Sequence, residues 1–168
     1  MTAEAEKLRR RLADGSAEVR RRAVMELTTH DPAEAAELLL RALGDEDWRV
    51  RKEAAAVAAR IAGPAIAERL VDAMVQEDEV GLRNAAAEAL SLSGETAITA
   101  LVARIPSMNA AGRKIAFEVL GSADDPRALT LLIAGLGDPD YNVRACAAEW
   151  LGESGGERAV EALALGGR

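Results

Sequence analysis

A repeat of about 31 residues is the feature that most constrains what this chain can fold into. Five arginines recur along the 168 residues at spacings of 31, 32, 30 and 31. An alanine follows each arginine by three residues, and a leucine or an alanine follows it by seven. Such self-similarity indicates units that pack mainly on their neighbours along the chain. The arginines are Arg20, Arg51, Arg83, Arg113 and Arg144.

Each unit contains two stretches typical of helices, named helix A and helix B here. Helix A is predicted at 16–28, 47–61, 79–92, 108–120 and 140–152. Helix B is predicted at 32–43, 64–75, 95–105, 125–136 and 157–165. Pro32, Pro64 and Pro126 begin helices B, where a missing N–H costs least. Gly121 and Gly152 are predicted to mark the ends of helices A.

Composition explains how such helices would pack. The chain contains 37 alanines, whereas aromatic residues make up only 2%. Helices can approach closely on small side chains, while a sheet would favour β-branched and aromatic residues. Asp47, Asn109 and Asp140 stand where helices A would be capped. The sequence therefore predicts an all-α protein.

Counts of single residue types and charges exclude several classes of function. One cysteine, Cys146, excludes a disulfide framework and a cysteine-based zinc site. One histidine, His30, excludes multi-histidine metal centres, and we expect it in a surface turn. A net charge of -7 disfavours nonspecific nucleic-acid binding. We expect no metal and no cofactor.

The chain lacks the apolar segments that membranes require. No run of about 18 apolar residues occurs, which predicts no membrane span. The segment 1–12 is charged throughout and lacks the apolar stretch of a signal peptide. These observations predict a cytoplasmic protein.

The pattern Asp45-x-Asp47-x-x-Val50-Arg51-x-x-Ala54-Ala55 resembles a short HEAT repeat, and residues 138–152 resemble it again. The resemblance is to the short repeats of bilin-lyase-like (phycobilisome-lyase-like) proteins, and the composition suggests a bacterial source. The resemblance implies a right-handed α-solenoid of about five two-helix repeats, with helices A on the convex side and helices B on the concave side. We expect a single domain over 1–168, with a capping helix at 2–12 and repeats at about 14–43, 45–75, 77–105, 107–136 and 138–165.

Acidic residues precede most of the repeated arginines by six positions. Arginine can bond two acceptors at once and stays charged, so it suits regular pairing with carboxylates or loop carbonyls. The interpretation is a structural ladder within and between repeats, which the family resemblance also implies. The ladder comprises Asp14, Arg20, Asp45, Arg51, Glu77, Arg83, Arg113, Asp138 and Arg144.

The concave face would be set by exposed positions of helices B, and solenoids usually bind partners there. The predicted partner-binding residues are Glu34, Glu37, Arg41, Glu68, Arg69, Asp72, Arg104, Arg127, Thr130 and Arg158. Their charges change along the array, which favours a protein partner over a uniform polyanion. Trp48 and Tyr141 share one repeat position and are either interface anchors or packing residues.

Other features leave alternatives open. Gly81 and Gly112 interrupt the pattern of repeats three and four. The alternatives are sequence drift, tighter helix packing and a hinge. Residues 1–22 carry seven basic and four acidic side chains, which indicates a polar cap or a docking patch for an acidic partner. Trp150 is expected in the core or between repeats.

The leading hypothesis is a non-enzymatic scaffold or adaptor that binds another protein through the concave face. No phosphate loop, nucleophile elbow or zinc-protease motif is present. One alternative is a bilin-lyase-like or other HEAT-type enzyme subunit. Another is a structural or regulatory module of a larger assembly, through self-association or continuation at the C-terminal end.

Overall fold

The computed structural model describes residues 3–61, 63–76 and 78–153. Within these ranges the regular structure is helical and contains no strand. The helices are α1 (Ala3–Arg11), α2 (Ala17–Glu26), α3 (Pro32–Leu43), α4 (Trp48–Arg60), α5 (Pro64–Met74), α6 (Val80–Leu92), α7 (Glu95–Arg104), α8 (Ala110–Gly121), α9 (Pro126–Gly135) and α10 (Tyr141–Glu153). Single 3-10 turns follow α2 and α7.

Local sequence signals account for the helix boundaries. The Asp47 carboxylate accepts a hydrogen bond of 2.8 Å from the Arg49 amide. The Asp140 carboxylate accepts one of 2.8 Å from the Asn142 amide. Both are N-caps, because they satisfy amides that the first helical turn leaves without partners. The predicted prolines stand at the first positions of α3, α5 and α9.

The described helices divide into two compact units, with the boundary between Thr96 and Ala97. In the first unit, α2, α4 and α6 are helices A, and α4 packs against both of the others. Helices α3 and α5 are helices B, and α1 precedes them. Helices α4 and α6 pack against each other, and their completely buried residues include the alanines Ala54, Ala55, Ala58, Ala86 and Ala89. The predicted close packing on small side chains is found here.

The second unit places large aromatic side chains against glycines. A Cβ atom added to Gly121 at the end of α8 would lie 2.0 Å from the Trp150 ring. A Cβ atom added to Gly135 at the end of α9 would lie 2.2 Å from the Phe117 ring. These glycines are therefore needed for space, because real Cβ atoms do not approach rings so closely. Trp150 packs within the unit, as the sequence indicates.

The structure places two of the glycines that the sequence singles out. Gly152 lies inside α10, which continues to Glu153, so it does not end that helix. Gly112 is buried in the first turn of α8, where its amide donates 2.8 Å to the Asn109 side chain. The helix α8 continues from Ala110 to Gly121 without a break at this residue. The last predicted helix, 157–165, lies outside the described residues.

Candidate protein-binding surfaces

Arg20 in α2 joins two successive repeats of the first unit. Its Nε and Nη2 atoms donate to the two carboxylate oxygens of Asp45 at 2.7 and 2.8 Å. Its Nη1 atom donates to the carbonyl oxygens of Asp14 and Gly15 at 2.9 and 3.3 Å. Only 6% of Arg20 is exposed, so this paired charge is held in a desolvated position. Donation to Asp45 raises the pKa of the Arg20 guanidinium.

The second unit repeats the same geometry at Arg113. Its Nε and Nη2 atoms donate to Asp138 at 2.7 and 2.8 Å, and its Nη1 atom donates 2.9 Å to the Met108 carbonyl oxygen. The Arg113 guanidinium also holds the pKa of Asp138 below its ordinary value. Arg20 and Arg113 therefore each tie the loop before their own helix to the acid of the next repeat.

Arg51 and Arg144 bond their own loops. Arg51 donates 2.7 Å to the Asp45 carbonyl oxygen, and Arg144 donates 2.7 Å to the Asp138 carbonyl oxygen. Arg83 is half-buried in α6, while Glu77 lies outside the described residues. Carboxylates and loop carbonyl oxygens, the two kinds of acceptor expected for this ladder, both accept hydrogen bonds from its arginines. Arg51 and Arg144 therefore support the backbone of the loops before their own helices.

The exposed side of α3 and α5 is the helix-B face of the first unit. Glu37 and Glu68 are exposed one repeat apart, and so are Arg41 and Asp72. Arg69 is exposed beside them, whereas Glu34 is half-buried. Four carboxylates and two arginines give this face a net charge of -2. Its members are Glu34, Glu37, Arg41, Glu68, Arg69 and Asp72.

Helix-B positions of the second unit carry less charge than the sequence suggested. Arg104, expected to be exposed, is half-buried near the end of α7. Arg127 is also half-buried, and its guanidinium bonds Asp125 at 2.8 Å and the Thr99 hydroxyl at 3.1 Å. Thr130 is exposed, and its hydroxyl donates 2.9 Å to the Pro126 carbonyl oxygen. Arg158 lies outside the described residues.

The two predicted aromatic anchors are exposed. Trp48 begins α4 with 62% of its surface exposed, and Tyr141 begins α10 with 71% exposed. The Arg144 guanidinium carbon lies 5.9 Å from the centre of the Tyr141 ring, which is cation–π distance. Both aromatic rings therefore present most of their surface to a partner.

Sequence reasoning missed two grooves, each lying between neighbouring helices A of one unit. The Trp48 groove lies between α2 and α4 and has a volume of about 480 Å³. The Trp150 groove lies between α8 and α10 and has a volume of about 500 Å³. The Trp48 groove is lined by Glu18, Arg21, Trp48, Arg49, Lys52, Glu53 and Ala56. The Trp150 groove is lined by Lys114, Glu118, Asn142, Ala145, Cys146, Glu149, Trp150 and Glu153.

The basic N-terminal region is largely neutralised by its own contacts. Arg9 bonds Glu37 at 2.5 Å, and Arg11 bonds Glu26. Arg22 bonds Glu18 at 3.0 Å. Since its positive charges have internal partners, this region is a weaker docking patch than its composition indicates.

The histidine differs from its predicted surface position. His30 is half-buried, and its Nδ1 atom donates 3.0 Å to the Glu26 carbonyl oxygen. This bond requires the proton on Nδ1 in the neutral ring.

In the described part of the chain, histidine, cysteine and carboxylate side chains form no group arranged to hold a metal ion. No helix within those same ranges is both long and apolar enough to cross a membrane.

Comparison with known proteins gives the family. A family model described as HEAT repeats matches residues 5–91 and 98–165. No curated protein matches the chain. Two crystal structures of engineered proteins from the Northeast Structural Genomics Consortium are similar to it. The first is 20% identical with a TM-score of 0.44, and the match covers 99% of this chain and 98% of that one. The second is 21% identical with a TM-score of 0.40, and the match covers 96% of this chain and 51% of that one.

The family match spans most of the sequence, and the described helices alternate as HEAT repeats require. The all-α solenoid predicted from the sequence is confirmed. The chain belongs to the HEAT repeat family.

Proposed function

We propose that this chain is a non-enzymatic scaffold that binds another protein through the helix-B face of its first unit. HEAT repeats form helical scaffolds that typically mediate protein interaction, and this supports the general role. The observation that carries the specific proposal is the exposure of charged pairs at matching positions of α3 and α5. Glu37 and Glu68 occupy one such position, and Arg41 and Asp72 occupy the next.

The packing beneath this face keeps it rigid. Leu39, Leu43 and Leu70 on α3 and α5 are almost completely buried, so the exposed side chains project from fixed helices. A preformed surface loses little backbone entropy on binding, which leaves more of the interaction energy for affinity. Specificity would come from charge, because opposite charges across an interface favour the correct partner and orientation.

The net charge of this face indicates the chemistry of the partner. Four carboxylates against two arginines, with Arg9 paired to Glu37, leave the face net negative, which favours a protein with a basic surface patch. A second copy of this chain is a less complementary partner, because the whole sequence has a net charge of -7.

Photo-crosslinking from defined positions tests the proposal. A photoreactive amino acid is placed at Glu68 or at Arg41 on the helix-B face, and at Glu88 on α6 as the control. All three positions are exposed. Lysate of the source organism is irradiated, and the crosslinked proteins are identified by mass spectrometry.

We expect one protein to crosslink from both helix-B positions and not from Glu88. Its crosslinked peptide should lie in a basic segment. Crosslinks to the same protein only from Glu88 would contradict the assigned face. Crosslinks only to this chain would replace the proposal with self-association.

A further inference from the structure

We propose that the Trp48 groove is a second binding surface, and that it takes an acidic peptide segment whose apolar side chain packs on Trp48. This surface is formed by α2 and α4, which are helices A, and it is distinct from the helix-B face. The inference stands on the exposed aromatic ring, on the volume beside it and on the charges around it.

The groove offers an apolar side chain a place to bind. Trp48 is 62% exposed at the start of α4, and Ala56 lies two turns further along the same helix. The small Ala56 side chain leaves the space open, and the volume of about 480 Å³ falls within the usual range for ligand sites. Tryptophan supplies a large contact area with few rotatable bonds, which makes it a favourable anchor for a partner.

The charges around the groove determine which polar group of a ligand would bind there. Three cations line it against two carboxylates, and a third carboxylate, that of Asp47, bonds Arg49 at 2.7 Å. Arg21 bonds Glu18 at 3.3 Å and reaches Glu53 at 3.4 Å, so both carboxylates are already compensated. Lys52 is exposed and has no ion-pair partner among the described residues. An incoming carboxylate would therefore meet a cation that is not already engaged.

The corresponding groove in the second unit is more acidic. The Trp150 groove carries one lysine against three glutamates. Lys114 on α8 stands where the Trp48 groove has Arg21, and it bonds Glu118 at 2.5 Å, while Ala145 stands where the Trp48 groove has Lys52. Trp150 is only half-exposed because it packs over Gly121. The acidic-peptide preference is therefore specific to the Trp48 groove.

A peptide fits these observations better than a nucleic acid. Nucleic-acid binding usually requires several cations facing successive phosphates. The Trp48 groove offers one cation without an ion-pair partner among the described residues, Lys52, which is too few to face successive phosphates. A short segment with a few carboxylates beside one apolar residue matches both the charge and the exposed ring.

The test is an array of twelve-residue peptides, each with a central Leu, Phe or Trp and two to six flanking glutamates. A matched array carries lysines in place of the glutamates. Binding of the full chain is measured on both arrays. The best Leu-centred or Phe-centred peptides are then titrated against it by tryptophan fluorescence. A Trp48→Phe variant identifies the part of the signal that comes from Trp48.

We expect affinity to rise with the number of glutamates and to exceed that of the lysine peptides at least 10-fold. Lys52→Glu and Trp48→Ala should each weaken binding at least 10-fold. The matched controls Lys114→Glu and Tyr141→Ala should change it less than twofold, and circular dichroism should show that all variants fold. Binding should also weaken as salt increases.

Equal binding of the glutamate and lysine arrays, or binding to neither, would overturn the proposal. Equal effects of Lys52→Glu and Lys114→Glu would overturn it as well. A Glu68→Lys, Asp72→Lys double variant should bind the peptide normally. The proposal for the Trp48 groove can therefore be refuted independently of the proposal for the helix-B face.

Discussion

Replacement of Arg20 by alanine tests the energetic role of the arginine ladder. The substitution removes two hydrogen bonds to Asp45, two to loop carbonyls and one to Glu46. It also leaves the Asp45 side chain, which is only 10% exposed, without its cation. Removal of one partner of a buried ion pair costs about 3–5 kcal/mol, because the remaining charge stays desolvated. We expect Arg20→Ala to lower the free energy of unfolding by about that amount.

The measurement is urea unfolding followed by circular dichroism at 222 nm. Arg22→Ala is the matched control, because Arg22 lies on the same helix and is 68% exposed in its pair with Glu18. Such surface pairs contribute about 0.2–1 kcal/mol. Asp45→Asn added to Arg20→Ala should recover part of the loss, because it removes the unpaired charge. A loss for Arg20→Ala no larger than for Arg22→Ala would refute the reasoning.

Four further predictions concern packing, helix stability, pH and thiol reactivity. Gly135→Ala would put a methyl group into the neighbouring aromatic ring, so it should destabilise the protein by about 1–3 kcal/mol in the same urea assay. Among the described residues, a Cβ atom at Gly152 in α10 meets nothing within 4 Å, so Gly152→Ala should stabilise the protein by up to about 1 kcal/mol. The Arg49 side chain and amide lower the pKa of Asp47 from 3.8 to about 2. The stability from Asp47 should therefore be present above pH 4 and lost as the pH falls through 2, and thermal unfolding should show less of this dependence in Asp47→Asn. Burial raises the pKa of the Cys146 thiol, so a thiol reagent should label it slowly in the folded protein and quickly in urea.

The repeat architecture could be predicted because its signals are local. Prolines at helix starts, Asp and Asn caps and the recurring arginines act within a few residues of their own positions. The ladder followed from the spacing of Asp45 and Arg51, since residues six apart around a helix start lie close together. These features need no knowledge of which helices pack together.

The glycine contacts could not be predicted, because they depend on pairs of helices. Gly121 reads as a helix end in the sequence, yet its small size is required by Trp150 from α10. In the same way, Gly135 at the end of α9 makes space for Phe117 of α8. A single sequence contains no direct record of which aromatic side chain faces which glycine.

The grooves escaped prediction for a related reason. Arg21 and Lys52 occupy the same position in successive repeats. When each helix is considered alone, a charged residue at this position indicates only a solvent-exposed face. The structure places them on neighbouring helices beside Trp48, with a volume between them. The burial of Arg104 was missed because sequence alignment of repeats locates a helix face only to within one residue or so.

The most direct test of the proposed scaffold role is the affinity for the protein crosslinked from Glu68. Isothermal titration calorimetry is run with the intact chain, with a Glu68→Lys, Asp72→Lys variant, and with a Glu88→Lys control. We predict that reversal of the helix-B charges weakens binding at least 10-fold, while the control changes it less than twofold. Equal affinities for the three proteins would contradict binding through the helix-B face.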